Sequence, residues 1–243
     1  RHLQEPIRAA IAAYLACVRA WAQGVRLADF HHKRLAGLDV TPDDLAFLLQ
    51  EDEVGCQTGV YRERDGSIIL WHSEEDYEQT PGQRFDKLRL FSFRTAQGDA
   101  VTAFIYPDLL PGPTFGWQND DFIQAIDTLH VKSLDFGAAT LPNTLAWLSL
   151  YLGTRVSTAE LVRALLPFQG GYSLTALSKA QGVLRVEKIE FANDQFATSA
   201  LEPQAGCYLF QTNVIADLTR PIGAQEQTSV ESRRWNEKRL ART

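Results

Sequence analysis

A chain of 243 residues, 45% hydrophobic and 22% charged, has the composition of one globular domain with a sizeable core. Its formal net charge of −6 argues against a nucleic-acid surface or an anionic membrane patch, both of which need clustered Lys and Arg, and leaves a small molecule as the expected partner. The three cysteines, Cys17, Cys56 and Cys207, are odd in number and lack paired spacing, so no disulfide framework, zinc site or other cofactor is expected, and a reducing, cytoplasmic setting fits best.

Residues 6–24 are predicted to form a helix. Pro6 suits its first turn and Gly24 its stop, and Ile7, Ile11, Tyr14, Leu15, Val18, Trp21 and Ala22 recur at helical spacing. His31-His32 follows in a polar linker and is expected to be solvated. Thr41-Pro42-Asp43-Asp44 opens a second helix ending near Gln50, with Thr41 as cap and acids in the first turn. The stretch from Gly55 to Tyr77 then reads as a hairpin, with β-prone segments at 60–63 and 67–71 joined by the turn Asp65-Gly66. That hairpin returns the chain and brings Cys56 near Glu74, Glu75 and Asp76.

A second hairpin is predicted from 87–94 and 100–106 around Ala96-Gln97-Gly98-Asp99, and a further strand over 122–131. The Pro- and Gly-rich residues 107–113 between them read as an ordered loop able to wall a pocket. Residues 142–152 form an apolar, buried helix, and Ser157 with Glu160 is a capping box opening a helix to Leu166. Gly170-Gly171 breaks the pattern, after which 172–178 and 183–191 pair over Gln181-Gly182, and 206–212 is a last strand. The sum is two antiparallel sheets with helices outside them.

No run approaches the ~18 apolar residues of a membrane-spanning helix, and the N-terminus has no signal pattern, so a soluble protein is expected. The absence of Met and the opening on Arg1 suggest a processed or truncated product, and 229–243 reads as an amphipathic helix cut short.

A thiol beside carboxylates, preceded by a Gly-X peptide bond, is what a self-cleaving amidase needs. The same residues also fit a buried cysteine that precedes a surface hairpin. The order of residues resembles the acyl-coenzyme A:6-aminopenicillanic acid acyltransferase (isopenicillin-N acyltransferase)-like family of cysteine N-terminal-nucleophile (Ntn) hydrolases. Gly55-Cys56 is similar to the family's cleavage point, and Asp65-Gly66 to its first hairpin turn. Glu74-Glu75-Asp76-Tyr77 resembles its Asn-Glu-Asp-aromatic run. Tyr106-Pro107 and the stretch 116–129, GWQNDDFIQAIDTL, resemble its Gly-aromatic-Asn-x-x-Gly-Leu segment, and Phe210 to Asn213, FQTN, its strand ending in Asn. The resemblance covers roughly residues 50 to 240. Departures are Gln57 for Thr or Ser, Glu74, Gln118 and Asp127 for Asn, and Asp121 for Gly.

The resemblance implies a four-layer αββα sandwich, the Ntn-hydrolase fold of α+β class. Residues 1–55 would be a helical pro-segment or small chain and 56–243 the catalytic chain, lacking a C-terminal part, the two self-cleaved pieces staying together as one domain. It implies Cys56 as nucleophile. A free thiol has a pKa near ~8.5 and needs a base, and an α-amino group freed at Cys56, with a pKa of about 7.7–8.0, supplies one. Asp76 would orient that amine and Asn213 would donate to the oxyanion. Glu74, Tyr77, Tyr106, Gln118 and Asp127 are the expected pocket. The substrate would be a linear amide or acyl compound, with acyl-coenzyme A as a donor if the enzyme is an acyltransferase. Should Glu74 point into the site, its charge would hold the amine protonated, and Glu74→Asn would lower the pH optimum.

Two other readings are open. Cys56 could pair with His72 or His130 as a Cys-His protease dyad, although no local protease signature surrounds them. Alternatively, the chain is a non-catalytic binding module in which Cys56 stays internal.

Overall fold

The computed structural model describes residues 3–27, 55–75, 88–106, 110–112, 114–129, 131, 137–138, 140–180, 182–201, 206–213 and 218. The helix expected at 41–50, His31-His32, Asp76, Tyr77, His130 and the stretch 229–243 lie outside the described residues.

Helix α1 (Glu5–Leu27) buries Ile7, Ala10, Tyr14 and Val18, a stripe with steps of three and four residues, and exposes Glu5 and Arg8, which pair with each other. Helix α2 (Pro142–Leu152) buries every residue except Thr144, as expected of a helix that is apolar all round. Pro142 in its first turn and Gly153 at its end, with φ 55°, set its limits. The two helices meet through Tyr14 and Trp147, whose rings lie 5.5 Å apart. Helix α3 (Thr158–Leu165) begins with the full capping box, Ser157 Oγ accepting from Glu160 N–H while Glu160 reaches back to Ser157 N–H.

Among the described residues, ten strands form two antiparallel sheets: β1 (Gly55–Arg62), β2 (Ile68–Glu75), β3 (Arg89–Arg94), β4 (Ala100–Ile105), β5 (Phe115–Gln118), β6 (Phe122–Leu129), β7 (Gly171–Ala180), β8 (Val183–Ala192), β9 (Gln195–Ala200) and β10 (Tyr208–Gln211). One sheet has the order β10-β1-β2 and the other runs β3 to β9 in sequence order. The chain is thus α+β, as expected. Helices α2 and α3 pack on one face of the larger sheet and α1 packs on α2, their buried side chains sharing one core with Val101, Ala103, Phe122, Ile126, Leu174, Ala176 and Ile189. The opposite face carries the residues of alternate parity, and Val186 and Leu177 there pack on Val60, Leu70 and Leu209 of the smaller sheet. The layers are therefore helices, seven strands and three strands.

The first two predicted turns stand at the predicted residues, but their geometry is that of a bulged hairpin. Gly66 N–H donates to Glu63 O and Glu63 N–H to Ser67 O, with Gly66 at φ 87°, so the loop is a four-residue turn closed by a left-handed glycine. The β3–β4 loop repeats the pattern with Thr95, Asp99 and Gly98 at φ 91°. Among the described residues, no helix is long and apolar enough to cross a membrane.

Candidate active site

Alternation along β1 decides what Cys56 faces. Cys56, Thr58 and Val60 point towards the larger sheet and are nearly inaccessible, whereas Gln57 and Tyr61 point away. Opposite them on β2 stand Glu74, His72 and Leu70, and on the β10 side Gln211 and Leu209. Two residues beyond the Gln211–Thr58 pair, Asn213 comes level with Cys56. The inward face of the small sheet is thus polar at the end that holds Cys56 and apolar at the other.

Asn213 is 1% exposed and makes three contacts with its side-chain amide. Oδ1 accepts the backbone N–H of Cys56 at 3.0 Å, Nδ2 donates to the carbonyl of Thr128 on β6 at 2.9 Å, and Nδ2 lies 3.4 Å from Cys56 Sγ. The amide orientation is fixed by its partners, since only the oxygen can accept from Cys56 and only the nitrogen can donate to Thr128. One amide therefore holds the nitrogen and the sulfur of the same cysteine and ties the small sheet to the large one.

Glu74, the register partner of Cys56, is held from two sides. Tyr106 Oη donates to Glu74 Oε2 at 2.8 Å, and His72 Nε2 lies 2.7 Å from Glu74 Oε1. The other ring nitrogen of His72 is 2.9 Å from Thr58 Oγ1. With both ring nitrogens engaged in this way, His72 offers no lone pair to the Cys56 thiol, which argues against a Cys56-His72 dyad.

Facing this row across the interlayer are Asp127, Ser173 and Glu190, which stand in register on β6, β7 and β8 and are fully buried. Lys188, also buried, donates to Gln211 Oε1 at 3.1 Å and lies 3.8 Å from Glu190 Oε1, a second tie between the sheets. Gln118 is elsewhere. It faces the helical layer, where its Nε2 donates to the carbonyls of Leu150 and Tyr151 at the end of α2, groups that a helix terminus leaves without partners. Of the residues named from sequence, the structure brings together Cys56, Asn213, Glu74 and Tyr106, with Asp127 on the facing row, and places Gln118 away from them. Thr58 was missed as a site residue, and His72 was weighed only as a partner of Cys56 and not as the partner of Glu74 that it is, although their parity with Cys56 and Glu74 along the two strands was the available signal. Among the described residues, no group of three or more His, Cys, Asp or Glu side chains is arranged to hold a metal ion.

Neither a protein-family model nor a curated protein matches the sequence.

Proposed function

We propose that the chain is a self-processing N-terminal-cysteine amidohydrolase with the Ntn-hydrolase fold, acting on a linear amide through a thioester on Cys56. The observation that carries this reading is the double grip of Asn213 on the nitrogen and the sulfur of Cys56. In the uncut chain, the N–H held by Oδ1 belongs to the Gly55–Cys56 peptide bond. Attack of Cys56 Sγ on the Gly55 carbonyl carbon forms a thioester as the C–N bond breaks and the nitrogen takes up a proton. Water then releases the Gly55 carboxylate and restores the thiol. The freed α-amino group, still within reach of Asn213 Oδ1, serves as base for the same thiol in turnover.

The second hydrogen of Asn213 Nδ2, turned towards Sγ, is placed for the oxygen of whichever carbonyl is bonded to that sulfur, which is the role of an oxyanion donor. Two sheets face to face with helices on the outer side of one are three of the four layers of the proposed fold. Mass spectrometry of protein quenched during turnover of an acylated amino acid or amine tests the reading. The expected result is an acyl adduct on Cys56 that hydroxylamine removes. Product release without such an adduct, or release only when an amine acceptor is supplied, would overturn hydrolysis through Cys56, the latter in favour of acyl transfer.

A further inference from the structure

The pairing Cys56↔Glu74 sets a carboxylate beside the candidate nucleophile on the same face of the same sheet. Directly opposed residues of an antiparallel pair have their Cβ atoms about 5 Å apart. Free to rotate, a glutamate at such a place turns to solvent, but this one is not free. Tyr106, 2% exposed, donates to one oxygen, and His72, itself braced by Thr58 Oγ1, holds the other. Three side chains from β1, β2 and the end of β4 thus fix one carboxylate, an investment that a solvated acid does not need.

We propose that Tyr106 and His72 are positioning residues that hold Glu74 against Cys56, and that the Glu74 charge keeps the Cys56 thiol protonated to higher pH, restraining its attack. This rests on the reading of Cys56 as nucleophile, but it concerns the thiol itself. Among the described residues, the other charged and titratable groups on the faces turned towards Cys56 are His72, paired with Glu74, and Asp127 and Glu190 on the larger sheet, the latter offset by Lys188 at 3.8 Å. These side chains are unchanged in every variant below, so a difference between variants reports the Glu74 carboxylate together with the His72 ring paired with it.

For scale, a unit charge as far away as the ~5 Å between opposed Cβ atoms shifts a neighbouring titration by about 0.6 pH unit where the effective dielectric constant is that of water, and by about 2.4 units where it is about 20. The ultraviolet absorbance of the thiolate, titrated in the full chain and taken as the difference from the matching Cys56→Ala protein, isolates Cys56 from Cys17 and Cys207 and needs no reagent to enter the site. Glu74→Gln is expected to lower the Cys56 midpoint by at least about 0.6 unit, within the range just given. Glu74→Asp, which keeps the charge, should leave it nearer the original value, and Tyr106→Phe, which removes only one hydroxyl, should move it part of the way down. A midpoint unchanged in Glu74→Gln would overturn the proposal. So would a fall in Glu74→Asp as large as in Glu74→Gln, because the effect would then not follow the charge. Absence of turnover or of cleavage leaves this measurement unaffected, so its failure is distinguishable from that of the proposed activity.

Discussion

Asn213 offers the sharpest structural perturbation. Replacing it with Ala removes the acceptor of the buried Cys56 N–H and the donor to the half-buried Thr128 carbonyl. An unsatisfied buried polar group costs about 1–3 kcal/mol, so the Cys56 N–H alone gives an expected loss of about 1–3 kcal/mol, to which the half-buried Thr128 carbonyl adds less. That is an appreciable part of the roughly 5–15 kcal/mol by which a domain is typically stable. Asn213→Asp separates the two contacts. The acceptor for Cys56 N–H survives, but an ionised carboxylate turns an oxygen towards the Thr128 carbonyl, where only a donor fits.

Burial and that repulsion raise the introduced acid above its unfolded value of about 3.9, so its protonated form is the one the fold tolerates. The deficit of Asn213→Asp should therefore be small below pH about 4 and grow as pH rises through the folded value. Urea unfolding followed by tryptophan fluorescence at a series of pH values, in the Cys56→Ala background so that processing does not blur the transition, measures both. A cost under about 1 kcal/mol for Asn213→Ala, or a pH-independent deficit for Asn213→Asp, would refute the role assigned to this amide.

Three further outcomes follow. Cys56→Ala should abolish self-cleavage and turnover while leaving the fold intact, and Cys56→Ser should retain slow self-cleavage, both read by gel mobility and substrate assay. Gly112 has φ 129°, and a Cβ there would stand 2.8 Å from the Trp147 backbone nitrogen, so Gly112→Ala should destabilise by about 2–5 kcal/mol in chemical unfolding, since neither the strain nor α2 can yield cheaply. Asp99 is partly buried, which works to raise its carboxyl, yet hydrogen bonds from Arg155, Asn119 and Thr95 and the Arg155 charge hold it below the ordinary value. Its contribution is present above the unfolded value of about 3.9 and is lost as pH falls through the lowered folded one, so Arg155→Gln should cost up to about 1 kcal/mol at pH 7 and less once Asp99 is protonated, when only the Arg155 bond to the Tyr151 carbonyl is lost.

Much of the fold was legible because the signals were local. The helix at 142–152, the capping box at Ser157 and the glycines of the first two hairpins each act within a few residues, and each stands where it was read. Strands β5 and β9 were missed. Both follow or precede a hairpin made by Asn-Asp, with Asn119 and Asn193 at φ 49°, a left-handed conformation that Asn adopts more readily than most residues, and those dipeptides were the overlooked signal. The partnership of β10 with β1 is separated by nearly the whole described chain, and periodicity carries no information about such pairing. The site divides in the same way. Cys56 and Glu74 could be brought together from the hairpin alone, whereas the hold of Tyr106 on Glu74 and the reach of Asn213 to Thr128 depend on how the sheets stack.

The intact masses and N-terminal sequence of the purified protein test the central claim most directly. Self-processing at Cys56 predicts two chains from one product, the larger beginning Cys-Gln-Thr-Gly, and a single uncut chain in preparations of Cys56→Ala. A wild-type chain that remains whole across the Gly55–Cys56 bond while turning over an amide substrate would contradict it.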